Sequence, residues 1–156
     1  MAESDDGRSG AEATVTASRA LLGIIARSML PALDEVSLPQ FRVLVLLSTS
    51  GPLRMGVLAE RLGVTVSTFS RTADRLVSQG WATRGQGPDS RREVFLDLTE
   101  RGRGLVASVT EHRRELIDDV LSRMTPRDRA RLASSLTAFS RAAGEVAPAD
   151  LLVLGL

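Results

Sequence analysis

Apolar residues recur every three or four positions along most of this chain, in runs separated by glycine, proline and small polar residues. Residues 1–10 (Met-Ala-Glu-Ser-Asp-Asp-Gly-Arg-Ser-Gly) have almost nothing to bury and are expected to form a disordered tail. From Ala11 to Leu30 a helix is predicted, with Val15, Leu21, Leu22, Ile25, Met29 and Leu30 on one broad stripe and Pro31 ending or kinking it. The later turns of that stripe are wide enough to pack on two neighbours. Ser37-Leu-Pro-Gln40 has the form of a capping box, with Ser37 as N-cap, Gln40 reaching back and Pro39 in the first turn. The helix it opens carries Phe41, Val43, Leu44, Val45, Leu46 and Leu47, apolar nearly all round, and so belongs at the centre.

After Gly51 and Pro52 a short helix follows, with Val57, Leu58, Ala59 and Leu62 inward, closed by Gly63. Thr65 is placed to cap the next helix, in which Val66, Phe69, Ala73 and Leu76 share one stripe. Its other face holds Ser67, Thr68, Ser70, Arg71, Thr72 and Arg75. A plain solvated face would be richer in Glu and Lys, the strong helix formers. Short hydroxyls and guanidinium groups suit base edges and phosphates. Two helices joined by a tight glycine turn, the second with a polar face, match a helix-turn-helix. Gly80 ends this helix, and Trp81-Ala-Thr-Arg84 and Val94-Phe-Leu-Asp-Leu98 read as strands around the turn-rich, basic segment Gly85–Glu93. A hairpin with a basic tip directly after a helix-turn-helix is a wing.

Thr99-Glu-Arg-Gly102 starts a long helix striped with Leu105, Val106, Val109, Leu116, Ile117, Val120, Leu121 and Met124. Thr125, Pro126 and Asp128 then cap a last helix that ends around Gly144, with Leu132, Leu136 and Phe139 expected inward. The terminal Ala149–Leu156 is strongly apolar for a chain end and is expected to be buried against a partner subunit.

Composition narrows the chemistry. With 156 residues, 43% of them apolar, one domain with extensions and a real core is expected. The net charge is only +1, but it is unevenly spread. Residues 1–12 hold Glu3, Asp5, Asp6 and Glu12 against Arg8, whereas residues 51–95 hold seven arginines against Glu60, Asp74, Asp89 and Glu93. Positive charge thus gathers around the helix-turn-helix, as a nucleic-acid site requires. The absence of cysteine excludes disulfides, thiolate metal sites and a thiol redox switch, and a single His makes a protein-built zinc site improbable. No metal or other cofactor is expected. No apolar run approaches the ~20 residues of a membrane span and no signal peptide is visible, so a soluble cytoplasmic protein is expected. The lone His112 lies near the stripe of the long helix with no nucleophile or orienting carboxylate motif, and reads as a packed or interface residue. No enzyme is expected.

The element order resembles the MarR family of bacterial winged-helix regulators. The residues that carry the resemblance are Leu38-Pro-Gln-Phe41, Leu58-Ala-Glu-Arg-Leu-Gly63, Thr65-Val-Ser-Thr-Phe-Ser-Arg71, Asp74-Arg-Leu76, Gly80-Trp81, Asp89-Ser-Arg-Arg92 and Leu98-Thr-Glu-Arg-Gly102. Two positions depart from the family pattern. Ser90 stands where an Asp usually braces the wing arginine, with Asp89 one residue early, and Arg54 stands where a Ser or Thr usually caps the first helix of the motif. The resemblance implies a mainly α fold with a small β-hairpin wing, a winged helix-turn-helix plus a helical dimerisation region. The parts are a tail (1–10), an N-terminal dimerisation helix (11–36), the DNA-binding region (37–99) and C-terminal dimerisation helices with an apolar tail (100–156).

It also implies a two-fold homodimer on a pseudo-palindromic double-stranded operator, modulated by a small aromatic or organic-acid effector. In that setting Ser67, Thr68 and Arg71 would face base edges, Ser70 and Arg75 would hold phosphates or flanking bases, and Arg91 and Arg92 would reach a minor groove. The family's effector cleft would involve Ile25, Met29, Phe41, Val45 and Val109, which a plain core would use equally well. The expected function is a dimeric repressor released by a small organic ligand. A winged-helix regulator without an effector, or a protein-interaction module, stays open.

Overall fold

The computed structural model describes residues 3–86 and 93–144. Its elements follow in order as α1 (Glu3–Leu33), α2 (Leu38–Ser50), β1 (Leu53–Arg54), α3 (Met55–Arg61), α4 (Val66–Ser78), β2 (Ala82–Gln86), β3 (Val94–Leu98), α5 (Glu100–Ser122) and α6 (Pro126–Ala143). The protein is mainly α-helical, with one small antiparallel sheet.

The helix α2 is central, as its all-round apolar sequence predicts. Phe41, Val43, Leu44, Leu46 and Leu47 are all buried, packed with Leu58, Phe69, Leu76, Trp81, Leu96 and Leu98 from the surrounding elements. At its start the Gln40 side-chain oxygen accepts from both the Ser37 N–H and its hydroxyl, each at 2.9 Å, so Gln40 reaches back as expected. Gly51, at φ 72°, takes the left-handed turn that releases the chain from α2. The chain then adds β1, a two-residue strand too short to leave a periodic trace in sequence. It pairs with β3 through Leu53↔Leu96 and Arg54↔Phe95, and β3 pairs with β2 from Ala82↔Leu98 to Gln86↔Val94, giving the order β1-β3-β2.

The start of α5 is fitted tightly against the end of α4. Thr99 caps α5 by accepting from the Gly102 N–H at 3.1 Å, and its hydroxyl lies 2.7 Å from the Gly80 carbonyl and 3.1 Å from that of Trp81. Gly102 is buried, and a Cβ there would sit 2.2 Å from the Trp81 carbonyl oxygen.

Several expectations need correction. The helix α1 begins at Glu3 and takes in most of the stretch expected to be a tail. Apolar periodicity registers only turns that pack, while backbone hydrogen bonding can continue past them. Pro31 lies inside the last turn without ending α1. The stripe of α1 that meets the core is Ile24, Ser28 and Ala32, which faces α5, while Val15, Leu21, Leu22 and Leu30 are exposed. Small residues at Ser28 and Ala32 let the helices approach closely, and Arg113 of α5 donates to the Ser28 hydroxyl at 3.3 Å.

Val66 is exposed rather than inward, because it is the first residue of α4 and precedes the turn that packs. Along α5, Leu105, Val106 and Val109 are buried, but Val120 is exposed. The expected inward stripe of α6 is not covered either. None of its residues is buried, Leu132 is only half-buried, and Leu136 and Phe139 are 44% and 55% exposed. The apolar terminus expected to meet a partner lies outside the described residues.

The close approach at Gly102 gives opposite expectations for two neighbouring substitutions. Gly102→Ala should destabilise by about 1–3 kcal/mol through overpacking. Gly104→Ala, in the same helix with open space around its Cβ position, should stabilise by up to about 1 kcal/mol. Thermal denaturation reads both as shifts of opposite sign, about 2–4 °C per kcal/mol at this chain length. Equal behaviour of the two variants would contradict the account of the contact.

Candidate nucleic-acid interface

The helix α4 is held from behind and open in front. Phe69, Ala73 and Leu76 are buried, while Ser67, Thr68, Arg71 and Arg75 are exposed and Ser70 is half-buried. Thr65 caps the helix as its sequence predicts: the Thr65 hydroxyl oxygen accepts from the Thr68 N–H at 3.3 Å. That hydroxyl also donates to the Thr68 hydroxyl at 2.9 Å and lies 3.0 Å from the Ser67 hydroxyl. Two of the expected base-facing groups therefore belong to a hydroxyl cluster at the N-terminus, where the helix dipole and unsatisfied N–H groups favour anionic groups. Gly63, at φ 65°, makes the turn that separates α3 from α4.

Arg71 and Arg75 lie four residues apart on the exposed side of α4. The ion pairs among the described residues engage Arg54, Arg84, Arg101, Arg103, Arg114, Arg123 and Arg131 and leave these two out. Their charge is thus uncompensated by any described carboxylate. Arg91 and Arg92, the expected wing arginines, lie outside the described residues, as does Asp89.

What anchors the wing strands was not visible in sequence. Arg54, the misfit at the capping position, provides no side-chain cap to α3. Its guanidinium instead pairs with Glu93 at 3.0 Å and lies 5.6 Å from the centre of the Phe95 ring, across the β1–β3 pairing. Arg84 of β2 pairs with Asp74 of α4 at 2.7 Å, linking the hairpin to α4. Each pair joins residues distant in sequence, so no local spacing could have revealed it.

Other candidates resolve as follows. His112 is half-buried and 3.3 Å from Glu115 on the same helix, so it is not a packed core histidine. On the same helix Glu111 and Asp119 pair with Arg114 and Arg123 on its exposed side. Among the described residues no cluster of His, Asp or Glu could hold a metal. Of the expected pocket residues, Phe41 and Val109 are buried in the core and Ile25, Met29 and Val45 are half-buried. None of them lines either of two surface concavities, one of about 390 Å³ beside Arg54, Met55 and Glu93, the other of about 230 Å³ beside Glu35, Trp81 and Arg101. No helix among the described residues is long and apolar enough to cross a membrane.

A buried-backed helix with exposed arginines, preceded by a short helix and followed by a braced hairpin, defines a winged helix-turn-helix protein. The chain belongs to the MarR family, whose model matches residues 36–94. The RV1404 protein from Mycobacterium tuberculosis is 44% identical and superposes with a TM-score of 0.76, over 86% of this chain and 92% of that one. The transcriptional regulator Tm0710 from Thermotoga maritima is 25% identical with a TM-score of 0.72, over 84% and 94%. The Bacillus subtilis HTH-type transcriptional regulator YfiV is 29% identical over 108 residues, 69% of this chain and 68% of that one. The protein is accordingly a DNA-binding transcriptional regulator and not an enzyme.

The cap on α4 supplies a direct test of how its N-terminus is held. Thr65→Ala should cost about 1 kcal/mol, while Thr65→Ser, which keeps the hydroxyl, should cost little. Urea denaturation of the two variants distinguishes them, and an unperturbed Thr65→Ala would show that the hydroxyl cluster does not hold the helix end.

Proposed function

We propose that the protein is a dimeric repressor that binds a pseudo-palindromic operator and is released by a small organic ligand. The observation that carries the DNA contact is the pair of exposed arginines on α4, which enter no ion pair among the described residues and stand on a helix backed by buried Phe69, Ala73 and Leu76. In this reading α4 enters the major groove, with Ser67, Thr68 and Arg71 at base edges and Ser70 and Arg75 on phosphates or flanking bases. Arg91 and Arg92 reach a neighbouring minor groove, where a narrow A·T stretch attracts guanidinium. The work takes place in the cytoplasm, where the chromosome is.

The dimer is supported by apolar surface that the protomer leaves uncovered. Leu21, Leu22, Leu30 and Leu33 of α1 and Leu136 and Phe139 of α6 are exposed, and apolar surface on two helices of one protomer calls for a protein partner. A second copy would pair the two α4 helices about one DNA turn apart, roughly 34 Å. The effector rests on family resemblance. Its cleft would lie among Ile25, Met29, Phe41, Val45 and Val109, of which Ile25, Met29 and Val45 are half-buried.

The measurements are separable. Selection of bound DNA from a random pool, repeated across salt concentrations, should yield an inverted repeat and a steep salt dependence. Arg71→Ala with Arg92→Ala should lose about 1–3 kcal/mol for each good base contact removed. Arg75→Ala should weaken all sequences alike and lower the salt slope by about one. Unchanged operator binding by the double variant would overturn the assignment of these residues. Sedimentation of Leu22→Glu and Phe139→Glu variants should show monomers, and a thermal-shift screen of aromatic acids tests the effector.

A further inference from the structure

One exposed side chain touches three elements whose relative orientation a two-fold reading head must fix. Arg101 is the second residue of α5. Its Nη1 donates to the Gln79 carbonyl at 3.0 Å, its Nη2 pairs with Glu35 at 3.3 Å, and its Cζ lies 3.7 Å from the centre of the Trp81 ring. Gln79 caps the C-terminus of α4, Trp81 is the buried residue that leads into β2, and Glu35 lies in the turn between α1 and α2. From the opposite side, the Gln79 side-chain oxygen accepts from the Gln40 amide of α2 at 3.0 Å.

The chemistry suits arginine in particular. The last carbonyls of a helix lack partners and carry partial negative charge, which a guanidinium satisfies. Its plane can stack on an indole while its edge donates to two acceptors, which an ammonium cannot do. Stability is an insufficient account of the arrangement. Arg101 and Glu35 are 58% and 47% exposed, and ion pairs so exposed stabilise a fold only weakly. What three convergent contacts do supply is a fixed angle.

We propose that Arg101 is a positioning residue for operator recognition: it locks the C-terminal end of α4 to the α1–α2 turn and to α5, and so sets the distance and angle between the two reading helices of the dimer. The inference rests on the dimeric DNA-binding reading above and deepens it. Arg101 itself touches no DNA in this scheme. Its removal affects how strictly two half-sites must be spaced, rather than how well one half-site is read.

The test uses the full-length protein and two DNA duplexes, the selected inverted repeat and the same repeat with two base pairs inserted at its centre. The insertion rotates one half-site by about 70° relative to the other. Wild type should bind the extended duplex much more weakly. Arg101→Met keeps the aliphatic stem over Trp81 but removes the charge and the donors. It should shrink the ratio of the two affinities by about fivefold or more, the lower end of typical coupling between sites. Glu35→Gln, an exposed change that leaves the other two contacts intact, should shrink the ratio in the same direction but less. Arg101→Lys should fall between wild type and Arg101→Met.

Trp81 is the only tryptophan, so its emission reports the clamp directly and should change in Arg101→Met without DNA. An unchanged affinity ratio in Arg101→Met and Glu35→Gln, or equal losses on both duplexes, would overturn the proposal while leaving the regulator reading intact. Wild type that binds neither duplex, or binds both equally, would overturn that reading and the proposal with it.

Discussion

The fold turns on a contact that only a glycine permits. The Trp81 carbonyl occupies the space where Gly102 would carry a Cβ, so the start of α5 can seat against the point where α4 has just ended and β2 begins. Thr99 works on the same spot, capping α5 while its hydroxyl donates to the Gly80 and Trp81 carbonyls. Three directions of chain are thereby fixed at one place. The helix α4 ends at it, the hairpin rises from it, and α5 leads off to α6, which leaves the core.

Around this contact the polar side chains work as struts between elements rather than as pillars of stability. Asp74 and Arg84 join α4 to β2, Arg54 and Glu93 join β1 to the start of β3, and Arg101 joins α5 to the end of α4. All are exposed or half-exposed, where ion pairs stabilise weakly and are screened by salt. Their common feature is placement between elements that a DNA-reading unit must hold in register. Arg71 and Arg75 take no part in these struts.

Much of this was legible in sequence because local rules decide it. The caps at Thr65 and Thr125, the start of a helix at Thr99, the glycine turns at Gly51, Gly63 and Gly80, and the extended run Val94–Leu98 all depend on neighbours within a few residues. The hydroxyl-and-arginine face of α4 was legible for the same reason, since helical period alone separates it from Phe69, Ala73 and Leu76. The strand β1 escaped because two residues carry no period. The struts escaped because Arg54 and Glu93, or Glu35 and Arg101, meet only after the chain has folded. Arg54 shows the limit well: as a poor cap it looked like a defect, and its partner on β3 gives it a different purpose.

The errors on α1 and α6 share one cause. Periodicity reports that a helix has an apolar side, but it does not say what covers that side. For α2 and the first turns of α5 the cover is the protomer's own core, and the stripe and the buried set agree. For α1 the protomer uses a narrower strip through Ile24, Ser28 and Ala32, leaving leucines on either flank exposed, and for α6 it covers nothing. The two misreadings therefore fall on the elements assigned to a second copy of the chain in the proposed dimer. A wide stripe of which only part is used within the protomer is what a helix shared between two cores would carry.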